Sequence, residues 1–291
     1  MPQTATTGNL ESAQNIILSS ARYTEEHNAP CMALIEQFSL PKGAKQVTVP
    51  KVGQMAVDDL TDGIDITDEQ DIGMTTVDLT AAEVGAKIIL TDKLVRQSAE
   101  NVMSMVGRQL GDAMARKGDT DVIALYTNLN GGTAFSADGN NFSASNVMAA
   151  ISRAKANKFG SQIYIVHHPN AVAYLAKESA AVASSASAEI TSGWQADRLK
   201  NFWSGLRPIN GVPIFESGNI QKTASVDSGK GVIADKSAMA VLKSKETGTE
   251  RQRDASLRAT EIVITSDYGV FELDDDRGAP FIAEIGDIAF S

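Results

Sequence analysis

Apolar positions along the chain change period twice before residue 130. In residues 1 to about 45 the one helical repeat is Leu10, Ala13, Ile17 and Ala21, at three- and four-residue steps, and Pro30 and Pro41 punctuate the rest of that segment. Between 46 and 90 the pattern becomes strand-like. Val47-Thr48-Val49-Pro50-Lys51-Val52 opens the region, Thr75-Thr76-Val77-Asp78-Leu79-Thr80 alternates, and Val84 to Leu90 becomes mostly apolar. From Thr91 the period returns to that of a helix, with Val95, Ala99, Val102, Val106, Leu110 and Ala113 on one stripe. Thr91 is a good N-cap and Asp92 sits where a carboxylate favours the helix dipole. Continued to about Tyr126, this predicts a rod roughly 50 Å long. Gly107, Gly111 and Gly118 each cost about 1 kcal/mol against Ala in a helix, and they permit close approach of another part of the chain.

Beyond the rod, 128–141 is turn-rich. Ser145 is expected to cap a helix through Val147, Ile151 and Ala154. A strand comes next at 162–166, and Pro169-Asn170 opens another helix. Residues 179–192 are small and low in complexity and read as a loop. Apolar strands are expected at 211–215 and 231–234, and the remainder from Ala238 is mostly β, strongest at 261–265 and 268–273. No internal repeat is visible.

Charge sharpens the middle of this pattern. Between Lys51 and Lys87 lie 35 residues with no Lys or Arg, nine of them Asp or Glu. A two-stranded hairpin is marginal alone in water, and this one carries little apolar surface. It is therefore expected to dock on another subunit, which makes the chain an assembly protein first. The apolar fraction of 43% is globular, and no run approaches a membrane span. No secretory signal is visible at the N-terminus. Cys31 is the single cysteine, so no intrachain disulfide can form, which fits a reducing compartment. With 26 basic against 36 acidic side chains the net charge is −10, against tight nucleic-acid binding.

The order of parts resembles the major capsid protein of tailed bacteriophages, the Hong Kong 97-type fold, over nearly the whole chain. The likeness rests on Val47-Thr48-Val49-Pro50, on Ile89-Leu90-Thr91-Asp92-Lys93-Leu94 passing into the long helix, and on Ile163-Tyr164-Ile165-Val166-His167-His168-Pro169 before a helix. Gly211-Val212-Pro213-Ile214 and Arg277-Gly278-Ala279-Pro280-Phe281 complete it. The resemblance implies an α+β fold with an N-terminal arm (1–45), an extended β-hairpin loop (46–90) and a peripheral domain with a spine helix (91–144). An axial domain (145–237) and return strands of the peripheral domain (238–291) come after these. It further implies a self-assembling icosahedral shell around double-stranded DNA, built of hexamers and pentamers, with a separate scaffolding protein, a portal and decoration proteins as partners. The expected location is the virion, and the host cytoplasm during assembly. Some relatives weld subunits by a bond between a loop lysine and an asparagine. Here no lysine occurs from 52 to 86 and no asparagine occurs after Asn219, so that chemistry is not expected.

No cofactor, metal or catalytic centre is expected. Asp58-Asp59-Leu60-Thr61-Asp62-Gly63 with Glu69 matches positions 1, 5, 6 and 12 of a calcium loop, but Leu60 offers no oxygen at position 3 and strands flank it. It reads as a solvated acidic tip. Asp274-Asp275-Asp276 reads as an exposed turn. His167 and His168, adjacent on a strand, point to opposite faces and cannot easily share a metal. Ser152-Arg153-Ala154-Lys155 and Ser39-Leu40-Pro41-Lys42 match a serine acyl-enzyme pattern without its companion motifs. Residues 236–258 hold a local charge of +3. This suggests that Arg251, Arg253 and Arg258 receive a neighbour's Asp58, Asp59, Asp62, Asp65, Asp68, Glu69 and Asp71. Two rival readings stay open: a nanocompartment shell of the same fold, and a soluble hydrolase with dispersed catalytic residues.

Overall fold

A computed structural model describes residues 30–52, 73–92, 102–175, 177, 209–223 and 227–286. The arm helix around Leu10 to Ala21, the acidic stretch 53–72, the opening of the rod at 93–101 and the loop 179–192 lie outside the described residues.

The described residues open with a short helix α1 (Pro30–Leu34) and strand β1 (Glu36–Ser39). Strands β2 (Gln46–Val52) and β3 (Met74–Thr80) form a two-stranded antiparallel sheet, with Gln46 opposite Thr80 and Val52 opposite Met74. Pro50 is tolerated there because each strand of so narrow a sheet is an edge strand. The apolar run 84–90 does not continue this hairpin. It belongs to β4 (Ala82–Thr91), which crosses to the body and pairs with β9 (Ala259–Glu272) from Ala82 opposite Tyr268 to Thr91 opposite Ala259. The division arises from burial. Val84, Ala86, Ile88 and Leu90 alternate toward one face, and that face is covered by the long helix α2 (Val102–Tyr126).

Three layers of contact hold the body. Leu90, Ile262 and Ile264 of the first sheet (order β1-β8-β9-β4, with β8 spanning Met239–Asp254) pack on Val106, Leu110 and Met114 of α2. The helical stripe thus passes through Met114 and not Ala113, which is exposed. Further along α2, Val122 and Tyr126 enter a second cluster with Cys31, Ile35, Tyr164, Val166, Met239 and Val241. The second sheet has order β10-β7-β5-β6, formed by β5 (Ile163–His167), β6 (Ile214–Glu216), β7 (Ser228–Asp235) and β10 (Gly278–Glu284). Every residue of β5 is buried because both faces are covered. Tyr164 and Val166 face the α2 cluster, while Ile163 and Ile165 face a third cluster under helix α3 (Ala144–Ala156) with Val147, Ile151 and Phe281.

Two expectations shift. The cap of α3 is Ser143, whose Oγ accepts from the Asn146 amide at 3.2 Å, while Ser145 lies in the first turn. The segment 238–291 also divides. Strands β8 and β9 lie in the first sheet, but β10 returns to pair with β7. Its Pro280 is accommodated because β10 is an edge strand.

Candidate assembly surface

The hairpin β2–β3 shows little burial of its own. One β3 side chain, Leu79, is fully buried, whereas Val52 and Met74, cross-strand partners, are 54% and 61% exposed. Thr48 Oγ1 donates to Asp78 Oδ1 at 2.6 Å within the hairpin. Two contacts lay it against the body. At its base, a Cβ at Gly269 of β9 would run into the Thr80 carbonyl, so only glycine allows that approach. Farther out, Lys51 Nζ lies 2.6 Å from Asp274 Oδ1 and 3.8 Å from Asp276 Oδ2. The Asp274 hydrogen bond and charge raise the Lys51 pKa above its ordinary value.

The Asp274-Asp275-Asp276 turn is more than an exposed corner. Asp274 caps the 3-10 turn Asp275–Arg277 by accepting from the Asp276 amide at 3.2 Å, and it takes Arg277 Nε at 3.0 Å. Asp275 accepts from the Gly131 amide at 2.9 Å. The sequence shows the three carboxylates; their pairing with Lys51, more than 200 positions away, carries no local signal.

Of the residues expected to meet between subunits, Asp58, Asp59, Asp62, Asp65, Asp68, Glu69 and Asp71 lie outside the described residues. Arg251, Arg253 and Arg258 come together at the end of the β8–β9 hairpin. Arg251 and Arg253, two apart, share one face of β8, opposite Ile262 and Thr260. Arg251 donates to Thr260 Oγ1 at a long 3.4 Å, and burial, then the charge of Arg253, lowers its pKa. Arg253 forks onto Asp92 at 2.9 and 3.2 Å within the same chain, and that contact raises its pKa. Arg258 adopts φ +50°, and its carbonyl accepts from the Asp92 amide at 3.0 Å. Asp92 is therefore spoken for by the β8–β9 hairpin.

A buried carboxylate joins α1 to α2 and to the segment after β6. Asp119 of α2 is fully buried; its Oδ1 accepts from the Cys31 amide at 3.1 Å, and its Oδ2 from Ser217 Oγ at 2.7 Å and Asn219 Nδ2 at 3.0 Å. Three donors replace the water that the carboxylate oxygens lose on burial. Beside it Gly118 leaves the space that Met32 of α1 fills, since a Cβ there would meet the Met32 sulfur. The signal for Asp119 was present: it falls on the buried stripe with Ala115, Val122 and Tyr126.

The other chemical candidates sit in plain structural places. His167 packs against both Phe142 and Phe281, with centroids 5.1 and 6.2 Å away, and burial pushes its pKa down to about 3. Its Nδ1 accepts from the His168 amide at 2.9 Å. Ser152, Lys155, Ser39 and Lys42 are all exposed, and Lys155 Nζ donates to the Asn210 carbonyl at 3.2 Å. A cleft of about 350 Å³ beside Asp119 is lined by Asp112, Arg116, Glu216 and Asn219. Among the described residues, no three His, Cys, Asp or Glu side chains are grouped to hold a metal ion, and no helix is long and apolar enough to cross a membrane.

A long helix laid across one sheet fed by both halves of the chain, a second sheet drawn from the later half, and a two-stranded hairpin define a capsid architecture of the Hong Kong 97 type. The phage capsid protein family matches residues 74–279, and the chain belongs to that family. Solved structures agree in fold. A Mycobacterium phage Che8 chain superposes with TM-score 0.62 at 20% identity, over 82% of this chain and 84% of that one. The capsid of Ralstonia phage GP4 gives TM-score 0.65 at 11% identity, over 89% of each. The holo-SrpI encapsulin complex from Synechococcus elongatus gives 0.61 at 10% identity, over 90% of each. No curated protein sequence matches the chain.

Proposed function

We propose that this chain is the subunit of a closed icosahedral shell that encloses the double-stranded DNA of a tailed phage, with no reaction of its own to catalyse. The observation that carries this reading is the family match across 74–279. The hairpin agrees with it: among the described residues β2 and β3 pair only with each other, and a repeated neighbour can satisfy their outer edges. Contacts that repeat and close by symmetry build a shell without chemistry. In this reading 1–45 is the arm, 46–80 the extended loop, α2 the spine, and the second sheet the axial part, completed by β10. Copies of the chain form hexamers and pentamers, and scaffolding, portal and decoration proteins are the further partners. A net charge of −10 suits a container that releases its DNA.

A second reading, a nanocompartment shell enclosing proteins, is favoured by the encapsulin likeness over 90% of both chains. Purified particles separate the two. Nuclease-protected double-stranded DNA supports the phage reading, enclosed protein without DNA supports the compartment, and a protein that stays monomeric under the electron microscope at all concentrations refutes both. The hairpin's part is tested by replacing 46–80 with a short Gly linker. Gln46 and Thr80 are direct cross-strand partners, so their Cα atoms lie about 5 Å apart and the gap closes without strain. A folded product that forms normal shells would show that the loop is dispensable.

A further inference from the structure

We infer that Lys51 and the 274–276 turn form a latch that fixes the hairpin's angle against its own subunit before assembly. The turn is a receptor built without the hairpin: Asp274 caps it and holds Arg277, and Asp275 is anchored to Gly131. Lys51 is the pin. It lies one pair from the outer end of the described ladder and five residues from the base at Gln46, roughly 17 Å out along the strand. The base is fixed independently by buried Leu79 and by the Thr80–Gly269 approach. A ribbon held only at its base can swing; one held also at Lys51 cannot.

The charge around the pin has one sense. Lys51 faces Asp274 and Asp276, with Glu272 and Asp275 close behind, and Arg277 is the opposing cation. Asp274 is the well-packed partner, with 15% of its side chain exposed, while Asp276 is 87% exposed and 3.8 Å away. The latch is therefore mainly the Lys51–Asp274 contact, breakable without disturbing the fold because Asp274 and Asp275 keep their other partners in the turn. Its use in a shell, where a neighbour's contact would replace it, rests on the shell function proposed for the chain; the latch itself belongs to the single subunit.

Amide hydrogen exchange on the full chain tests it, at dilutions where sedimentation velocity shows single subunits. In the Lys51→Met variant, protection of residues 46–52 and 74–80 is expected to fall about two- to fivefold, the range of a partly exposed ion pair. Lys51→Arg should keep most of it. Asp274→Asn retains an oxygen for the cap and should match Lys51→Met, and the double variant should lose no more than either single one. Lys51→Met and Lys51→Arg behaving alike, in either direction, would overturn the latch, as would additive losses in the double variant. Neither result bears on whether shells form, which microscopy of the same protein decides.

Discussion

Arg253 grips Asp92 with both terminal guanidinium nitrogens, at 2.9 and 3.2 Å, while the Asp92 amide donates to the Arg258 carbonyl. The end of β4 is thereby tied to the tip of the β8–β9 hairpin. A cation expected to reach toward a neighbour already has a partner at home. Arg253→Glu should lower the melting temperature, and Asp92→Arg in the same chain should recover it by reversing the pair. Pairing with a neighbour's acidic hairpin makes a separate prediction: the assembly defect of Arg251→Glu with Arg253→Glu should be partly relieved by Asp58→Lys with Asp62→Lys. Relief by Asp92→Arg alone would assign Arg253 wholly to its own subunit.

Asp119 should be the most sensitive polar position. Its replacement by Ala leaves the Cys31 amide, the Ser217 hydroxyl and the Asn219 amide facing a void. An abandoned buried donor costs about 1–3 kcal/mol, so urea unfolding should show a loss of roughly 3 kcal/mol or more. Asp119→Asn, which keeps an acceptor, should lose less. Equal losses from both would mean that the charge and not the acceptor geometry matters.

How much of this was legible depends on the range of the signal. The part of the rod at Val102–Tyr126, the apolar strands β5 and β7 and the strands of the hairpin were readable because each carries a local period. What failed was long-range pairing. The run Val84 to Leu90 looked like the hairpin's return because it comes directly after it, yet its alternation is satisfied by β9, whose partners lie 170 to 182 residues later. β10 likewise joins β7, since Ala279 and Phe281 fit the cluster under α3, a fit no local pattern reveals. The candidate site was legible in composition only: the acidic stretch and the basic stretch stand out, but Lys51–Asp274 and Arg253–Asp92 each join residues over 150 apart.

Cys31 should be chemically silent. Burial first, then the charge of Asp119, pushes its thiol from an ordinary 9.0 up to about 12. At pH 8 the thiolate that reacts is a fraction on the order of 10⁻⁴ of the total. Ellman's reagent should therefore modify the native protein far more slowly than the urea-unfolded chain. The raised pKa also sets a sign. The contribution of the protonated thiol is fully present below pH 9 and is lost as pH rises from about 9 toward 12. Cys31→Ser should flatten that part of the stability profile; an unchanged alkaline loss would place its origin elsewhere.

Gly231 in β7 sits where a Cβ would strike the Val166 carbonyl and the His167 ring. One obstacle is backbone and the other is a fully buried ring packed against Phe142 and Phe281, so neither can yield cheaply. Gly231→Ala should cost about 1–3 kcal/mol by overpacking. Gly118→Ala also overlaps an atom, but that atom belongs to the flexible Met32 side chain, which can turn aside. The melting temperature should therefore fall more for Gly231→Ala, and the reverse order would show that the α1–α2 contact is the tighter one.

Assembled particles should come apart to single chains. A bond between a hairpin lysine and an asparagine amide needs an amine on the loop, and no lysine occurs from 52 to 86. Lys51 does sit on the described hairpin, but its amine is held as an ammonium by Asp274 at 2.6 Å, and an ammonium has no lone pair with which to attack. The last asparagine of the sequence, Asn219, has its amide nitrogen bound to Asp119 at 3.0 Å. Among the described residues lining the cleft that holds this acid–amide pair, none is a lysine. Boiled in detergent and reductant, particles should give one band near 30.8 kDa. A ladder of multiples would require a lysine delivered from elsewhere on a neighbour, and mass spectrometry of the linked peptides would identify it.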